Sequence, residues 1–301
     1  MFKFEPGDYE EAVGCLEASG NYRVLRRVPR LPRMPARMMG LRRGIFLGVE
    51  TTGLDPAVDG IIQIAMVPFA YDDDGRILGA GTAFARCRNP GMPIPAKVTQ
   101  MTGIDNDTVA FEYIDPREVE ALASHPDVVV AHNAAIDRRF MERFSPSFKL
   151  VAWACSMSQV TWEAEGHEGT KLSALLMGAG MFHDAHDAHR AVEHCHAALA
   201  LLSLPLPVSG KGAFASLLDT AFTPTLRFWA VGAPFEMKET LKARGYRWSN
   251  GDHGTPRCWY RDVPESGRAA EIAFLAEQIC FAGVDPTIIE IDACARFSDR
   301  G

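Results

Sequence analysis

The chain is poor in several features that would assign it to a class at once. Its seven cysteines are an odd number with no Cys-x-x-Cys pair. That argues against a disulfide framework and against a zinc ribbon, and it fits reduced thiols in a cytoplasmic setting. No run reaches 18 apolar residues, so no membrane span is expected. Residues 1–11 are acidic and lack an apolar secretory stretch, so no signal peptide is expected. There is no internal repeat and no His-Glu-x-x-His zinc-protease word. What remains is an ordinary globular composition, 47% hydrophobic and 23% charged over 301 residues, enough for about two domains.

The net charge of −7 would discourage a nucleic-acid partner if it were spread evenly, and it is not. Residues 1–43 carry nine basic and five acidic residues; Arg23 to Arg43 holds eight arginines and no acid, interleaved with Pro29, Pro32 and Pro35. Residues 44–204 carry 11 basic and 21 acidic residues, and residues 205–301 are nearly balanced with 11 and 12. The Arg/Pro stretch is expected to be extended, because proline removes a donor and biases its predecessor away from helix. A solvated linker and a phosphate-contacting arm are both open for it.

The pattern of elements predicts three regions. Tyr9 to Ala18 reads as a short amphipathic helix ending near Gly20. Gly44 to Val49, Ile61 to Ala70 and Arg76 to Arg86 read as strands, the last two joined by the turn Asp72-Asp73-Asp74-Gly75, and Asp127 to Ala131 as a buried strand. Helices are expected at Ile136 to Phe144, Lys171 to Met177 and His189 to Leu202. Strands followed by alternating helix and strand predict an α/β mixed sheet flanked by helices over residues 44–204. Leu204 to Lys211 reads as a linker. Beyond it a β-α-β-β-α-β pattern predicts a small α+β unit within residues 205–301: a strand at Leu226 to Val231, a helix at Pro234 to Arg244, a hairpin around Asn250-Gly251, a helix at Gly267 to Phe281 and a strand at Thr287 to Ile291.

Three words carry the chemistry. They are Gly48-Val49-Glu50-Thr51-Thr52-Gly53 at the end of the first strand, His132-Asn133-Ala134-Ala135-Ile136-Asp137 after the buried strand, and His189-Arg190-Ala191-Val192-Glu193-His194 opening a late helix. In this order and context the chain resembles the DEDDh branch of the 3′-5′ exonucleases, which includes the proofreading subunit of bacterial DNA polymerase III. The resemblance covers residues 44–204 and implies a ribonuclease-H-like fold. It implies four carboxylates holding two Mg²⁺ or Mn²⁺ ions about 3.5–4 Å apart, which activate a water and stabilise the leaving 3′ oxygen. It assigns Glu50 and Asp137 as metal ligands and His189 as general base. Thr51, Thr52, Gly53, His132 and Asn133 would hold the terminal nucleotide. The implied partner is a single-stranded DNA or RNA 3′ end, with room for a protein partner of the C-terminal domain.

The departures are as specific as the matches. Gly48 stands where the family has its first Asp, the bridging ligand, and His194 stands where it has its last. Glycine offers no ligand atom, and imidazole suits transition metals better than Mg²⁺. The expectation is a catalytically impaired exonuclease-family protein; the alternative is a non-catalytic protein that binds nucleic acid or a partner. Glu193 lies beside the lost position but about 100° around a helix, so it is not expected to substitute. Five histidines fall between His183 and His196; they read as one functional histidine with polar neighbours rather than a new metal site. In the C-terminal region, residues 238–268 carry seven basic and four acidic residues among several Trp and Tyr. Those aromatics either stack bases or close a small core, and the core reading is the plainer of the two.

Overall fold

The computed structural model describes residues 6–183, 190–251, 254–278 and 287–300. The chain opens on α1 (Pro6–Ala18), which ends before Gly20 in a left-handed conformation. The Arg/Pro stretch is extended, as expected, but it is not loose. Its strand β1 (Arg26–Arg27) pairs in parallel with a later strand, and the Ala80 amide donates to Pro32 O at 2.8 Å while Met34 N donates to Ala80 O at 2.9 Å. Val28 and Leu31 pack on the main core.

The main sheet is built from β2 (Arg42–Thr51), β3 (Ile61–Tyr71), β4 (Ile77–Ala80), β5 (Phe84–Cys87), β6 (Val128–Ala131) and β7 (Trp153–Cys155). The order is β4-β3-β2-β6-β7, with β5 also on β3; the β2–β3 pair is antiparallel, and β2–β6 and β6–β7 are parallel. Residues 76–86, expected as one strand, form two. Strand β4 pairs with β3 at Phe69 to Tyr71 and β5 pairs at Gln63 to Met66. The break falls at Pro68, which has no amide to donate on that edge and uses only its carbonyl, accepting Gly81 N at 2.7 Å.

Three short helices, α2 (Ala96–Thr102), α3 (Asn106–Val109) and α4 (Pro116–Leu122), precede β6, and α5 (Ala134–Phe144) follows it. After β7 come α6 (Leu172–Gly178), β8 (Met181–Phe182), which receives β1, and α7 (Arg190–Leu202). Alternation along β2 divides the core. Ile45 and Leu47 pack with Phe140 and Met141 of α5, whereas Phe46 packs with Cys195 and Leu199 of α7. Glu50 and Gly48, at even spacing from Phe46, therefore belong to the α7 face.

The segment expected as a linker is ordered. Leu206 is buried, the Val208 and Ser209 amides donate to Glu165 Oε2 at 2.8 and 3.0 Å, and Pro205 bridges Gly212. It leads into α8 (Ala213–Phe222), a helix additional to the expected pattern. Phe214 of α8 meets Phe69 and Tyr71 edge-on, at 5.3 and 5.0 Å between ring centres.

The last unit follows the expected pattern: β9 (Thr225–Ala230), α9 (Lys238–Ala243), β10 (Arg247–Trp248), β11 (Trp259–Pro264), α10 (Arg268–Gln278) and β12 (Thr287–Ile291). Its sheet is antiparallel throughout, in the order β10-β11-β9-β12. The chain then returns to the main body. Trp153 N, on the edge strand β7, donates to Ala293 O at 2.9 Å, so the tail covers that edge. Arg138 of α5, fully buried, donates to the carbonyls of Ala293, Cys294 and Arg296 at 3.1, 2.5 and 2.8 Å and pairs with Glu142 at 2.7 Å. Among the described residues no helix is long and apolar enough to cross a membrane.

Candidate active site

The end of β2, the first turn of α5 and α7 enclose a cleft of about 290 Å³ whose lining includes Gly48, Glu50, Asn133, Asp137 and His194. Asp137 is 8% exposed, and its Oδ1 accepts the backbone N–H of Val49 at 3.0 Å. That bond ties the first turn of α5 to the strand that carries Glu50. Burial pushes the Asp137 carboxyl up to about 7; the charge of Glu50 adds to the rise and the Val49 amide opposes it.

Gly48 forms the floor. Among the described residues a Cβ built there would meet only Cys195 Sγ, at 3.6 Å, an ordinary contact. The space for a side chain at 48 is therefore present although the side chain is not. Cys195 is itself buried, and burial together with the charges of Asp137 and Glu50 keeps its thiol neutral, well above its usual range.

Thr51, Thr52 and Gly53 form a preorganised turn. Thr52 is buried, its hydroxyl donates to Asp59 Oδ1 at 3.1 Å and accepts Gly60 N at 3.0 Å, and Asp55 N donates to Asp59 Oδ2 at 3.0 Å. Glycine at 53 has a steric reason: a Cβ would stand 2.4 Å from Asp59 Oδ2. The Thr51 hydroxyl donates to Gly53 O. The loop's hydroxyls thus hold the loop itself; Thr51, Thr52 and Gly53, expected to contact a nucleotide, are not among the cleft's lining, which the loop reaches through the exposed Leu54.

His132 and Asn133 behave differently from each other. Both ring nitrogens of His132 are engaged, Nδ1 with Ser156 Oγ and Nε2 with Thr170 O, each at 2.9 Å, and burial lowers its pKa. Its geometry fastens the end of β6 to two following segments. Asn133 is held at φ 116° and makes no side-chain cap bond to α5, so its amide lines the cleft instead of capping the helix.

His194 lies on α7 with its ring centre 5.0 Å from that of His183. Glu193 turns to the other side of α7 and pairs with Arg30 of the N-terminal segment. No local pattern signals that pairing, and it holds Glu193 away from the cleft that His194 lines. His189, the expected general base, lies outside the described residues, as do Asp184, His186 and Asp187. The residues in place do not fit a two-Mg²⁺ centre. Gly48 contributes no donor, and among the described residues no group of three or more His, Cys, Asp or Glu is placed to hold a metal ion.

The acid pair thus joins the end of β2 to the start of α5, the helix that follows its parallel neighbour β6. Residues 45–202 match the exonuclease family model, and the chain belongs to that family. It is 33% identical over 162 residues to the 3′-5′ exonuclease DinG of Bacillus subtilis, covering 51% of this chain and 16% of that protein. It is 37% identical over 97 residues to the PolC-type DNA polymerase III of Listeria monocytogenes, covering 31% of this chain and 6% of that one. The chain thus spans a sixth or less of the length of these curated relatives. In fold it is similar to exonuclease I solved with an inhibitor, with a TM-score of 0.51 and 15% identity over 84% of this chain and 63% of that one.

Proposed function

We propose that this protein engages 3′ ends of single-stranded nucleic acid in the Glu50–Asp137 cleft, and that phosphodiester hydrolysis there is severely impaired. The observation that carries the reading is the Glu50–Asp137 acid pair beside Gly48, a cleft position that admits a Cβ and offers no ligand atom. A terminal nucleotide would lie over Leu54 and the backbone of the Thr51–Gly53 turn, with the Asn133 amide toward its phosphate. The backbone conformation of Asn133 supports this, since strain of this kind concentrates at functional sites. Family membership supports nucleic acid as the ligand and hydrolysis as the ancestral reaction. DNA and RNA both satisfy the cleft.

The second reading is a protein that binds nucleic acid or a partner and performs no hydrolysis at all. It is favoured by the lack, among the described residues, of a metal-holding cluster. With either reading we propose three regions, an N-terminal segment over 1–43, an exonuclease-like domain over 44–204 and an accessory region over 205–301, in a cytoplasmic setting. Within the accessory region, the ring contacts of Phe214 support grouping α8 with the exonuclease body, so the small α+β unit starts at Thr225.

The test compares the protein with its Gly48→Asp/His194→Asp variant on end-labelled single strands in Mg²⁺ or Mn²⁺. The variant is expected to degrade the strand from its 3′ end at least about 100-fold faster. Equal, substantial rates would overturn the impairment. Two inactive proteins that also fail to bind 3′ ends would overturn the cleft.

A further inference from the structure

The small C-terminal sheet has two unlike faces. Its strands, numbered within the unit, lie in the order fourth, first, third, second, and α9 and α10 both pack on one face. Leu226 and Phe228 of β9 and Val263 of β11 point to that face and form the core with Leu241 and Leu275. Tyr246 and Trp259 belong to this core, so the plain reading of the aromatics holds for them.

Trp229, buried at 3% exposure, and Tyr260, half-buried, lie outside that cluster. These alternate with the core residues and stand on the opposite face, directly across from each other on the two central strands, with ring centres 5.2 Å apart. Trp229 is the more buried of the two and backs Tyr260. Arg227 and Asp262 are the next opposed pair on that face, joined by two hydrogen bonds at 2.6 and 2.7 Å. This holds the Arg227 guanidinium 4.5 Å from the Tyr260 ring centre. Arg247, opposite Tyr260 on β10 and 65% exposed, stands 5.1 Å from the same ring. An open groove of about 250 Å³ runs along Arg227, Trp229 and Tyr260 to Arg139 and Asp299, which close its far side as an ion pair at 2.6 Å, and Arg247 stands beside it. Asp262 also pairs with Arg247 at 3.5 Å, so three guanidiniums share two carboxylates, a surplus of one positive charge, and Arg257 is exposed on the adjacent hairpin.

We propose that this face is a second nucleic-acid site, binding a single-stranded segment independently of the cleft. Aromatic rings on the two central strands of a four-stranded sheet, flanked by arginine, suit unpaired bases. A base stacks on the surface made by Tyr260, which Trp229 and the Asp262-tethered Arg227 guanidinium hold in place. Arg247 and Arg257 meet the phosphates. The groove accepts one base without reading its edge, so it tolerates any sequence. A polyanion fits the surplus of guanidinium, and a neutral or acidic-poor protein surface does not.

The experiment measures binding of a fluorescent 15-nucleotide oligo-dT, and of its RNA counterpart, to the full chain in EDTA by anisotropy. The variants are Arg247→Glu, Tyr260→Leu and, for the cleft, Leu54→Glu. Arg247→Glu should weaken binding about tenfold and flatten its dependence on salt. Tyr260→Leu should weaken it similarly while circular dichroism stays unchanged. Binding that is unchanged within about twofold in Arg247→Glu overturns the proposal, and because Arg247 is exposed this holds even where Tyr260→Leu fails to fold. Photo-cross-linking with an iodouracil strand gives the second readout: adducts on residues 257–262 support the site, and adducts confined to the cleft overturn it. Loss of binding in Leu54→Glu alone leaves the cleft standing and removes the sheet face, so the two readings fail separately.

Discussion

Cys195 Sγ lies 3.6 Å from the point at which a side chain on Gly48 would begin, with nothing else within contact range among the described residues. Four residues earlier on the same strand, the equivalent point on Gly44 lies 2.1 Å from the tip of the Phe69 ring. Two glycines on one strand therefore have opposite standing. Gly44 is required by packing. Gly48 is not, and its backbone freedom is a cost in a strand interior.

Gly48→Ala should therefore stabilise the protein by about 0.5–1 kcal/mol, the usual penalty of glycine in a strand. Gly44→Ala should destabilise it by about 1–3 kcal/mol through overpacking against Phe69. Urea denaturation of both variants checks the pair, and the same sign for both would contradict it.

Asp137 supplies a dependence on pH. Its folded carboxyl titrates near 7, raised from the ordinary value chiefly by burial, against about 4 in the unfolded chain. The folded state therefore holds its proton more tightly. The stability this contributes is full below about pH 4 and is lost as pH rises through 7. Asp137→Asn keeps the oxygen that accepts Val49 N and removes the charge. In EDTA it should be more stable than the parent at pH 8, by on the order of a few kcal/mol, and the gain should shrink toward pH 4. A difference independent of pH would show that the buried charge is not its source.

Arg138 anchors the tail. Its guanidinium is fully buried and spends its donors on Glu142 and three carbonyls of residues 293–296, while Arg300 reaches Glu142 from the tail at 2.9 Å. Arg138→Ala should cost about 3–5 kcal/mol, because it takes from the buried Glu142 one of its two guanidinium partners and from Arg296 O its donor, and leaves a cavity under the tail. Arg138→Lys should recover little of it, since an ammonium cannot span the planar set of acceptors. Thermal denaturation and limited proteolysis after residue 291 test this; a tail no more sensitive in Arg138→Ala would count against the clamp.

Gly53 tests the nucleotide loop. Gly53→Ala sets a methyl against the Asp59 carboxylate that ties the turn together. Stability should fall by about 1–3 kcal/mol, and affinity for 3′ ends should fall with it. The companion Asp59→Asn, which keeps an acceptor and removes the charge, should do less. Binding of a labelled 3′ end measures both, and equal effects would separate the loop from the ligand.

Much of the site is legible in the three motifs. Gly48, Glu50, Asn133, Asp137 and His194 all reach one cleft, because each word sits at a strand end or helix start whose local pattern is strong. His189 lies outside the described residues, so general-base chemistry there is a proposal. Two expected ligand-binding side chains are occupied inside the protein. Thr52 is held by Asp59, and His132 by Ser156 and Thr170. No spacing within a motif reports partners 7, 24 or 38 residues away.

Local pattern sufficed for the period of each long element and for the three words that mark the family, because alternation, caps and turns act over a few residues. Long-range packing settled the rest. It broke the strand at Pro68, set Phe214 against Phe69, drew Glu193 to Arg30 and folded the tail onto Arg138. It also put Trp229 and Tyr260 on one face away from the core, since only the pairing of β9 with β11 sets them opposite each other. The physical reason is the same in each case: these contacts join residues far apart in the chain, and their energy comes from packing and pairing that no local pattern encodes.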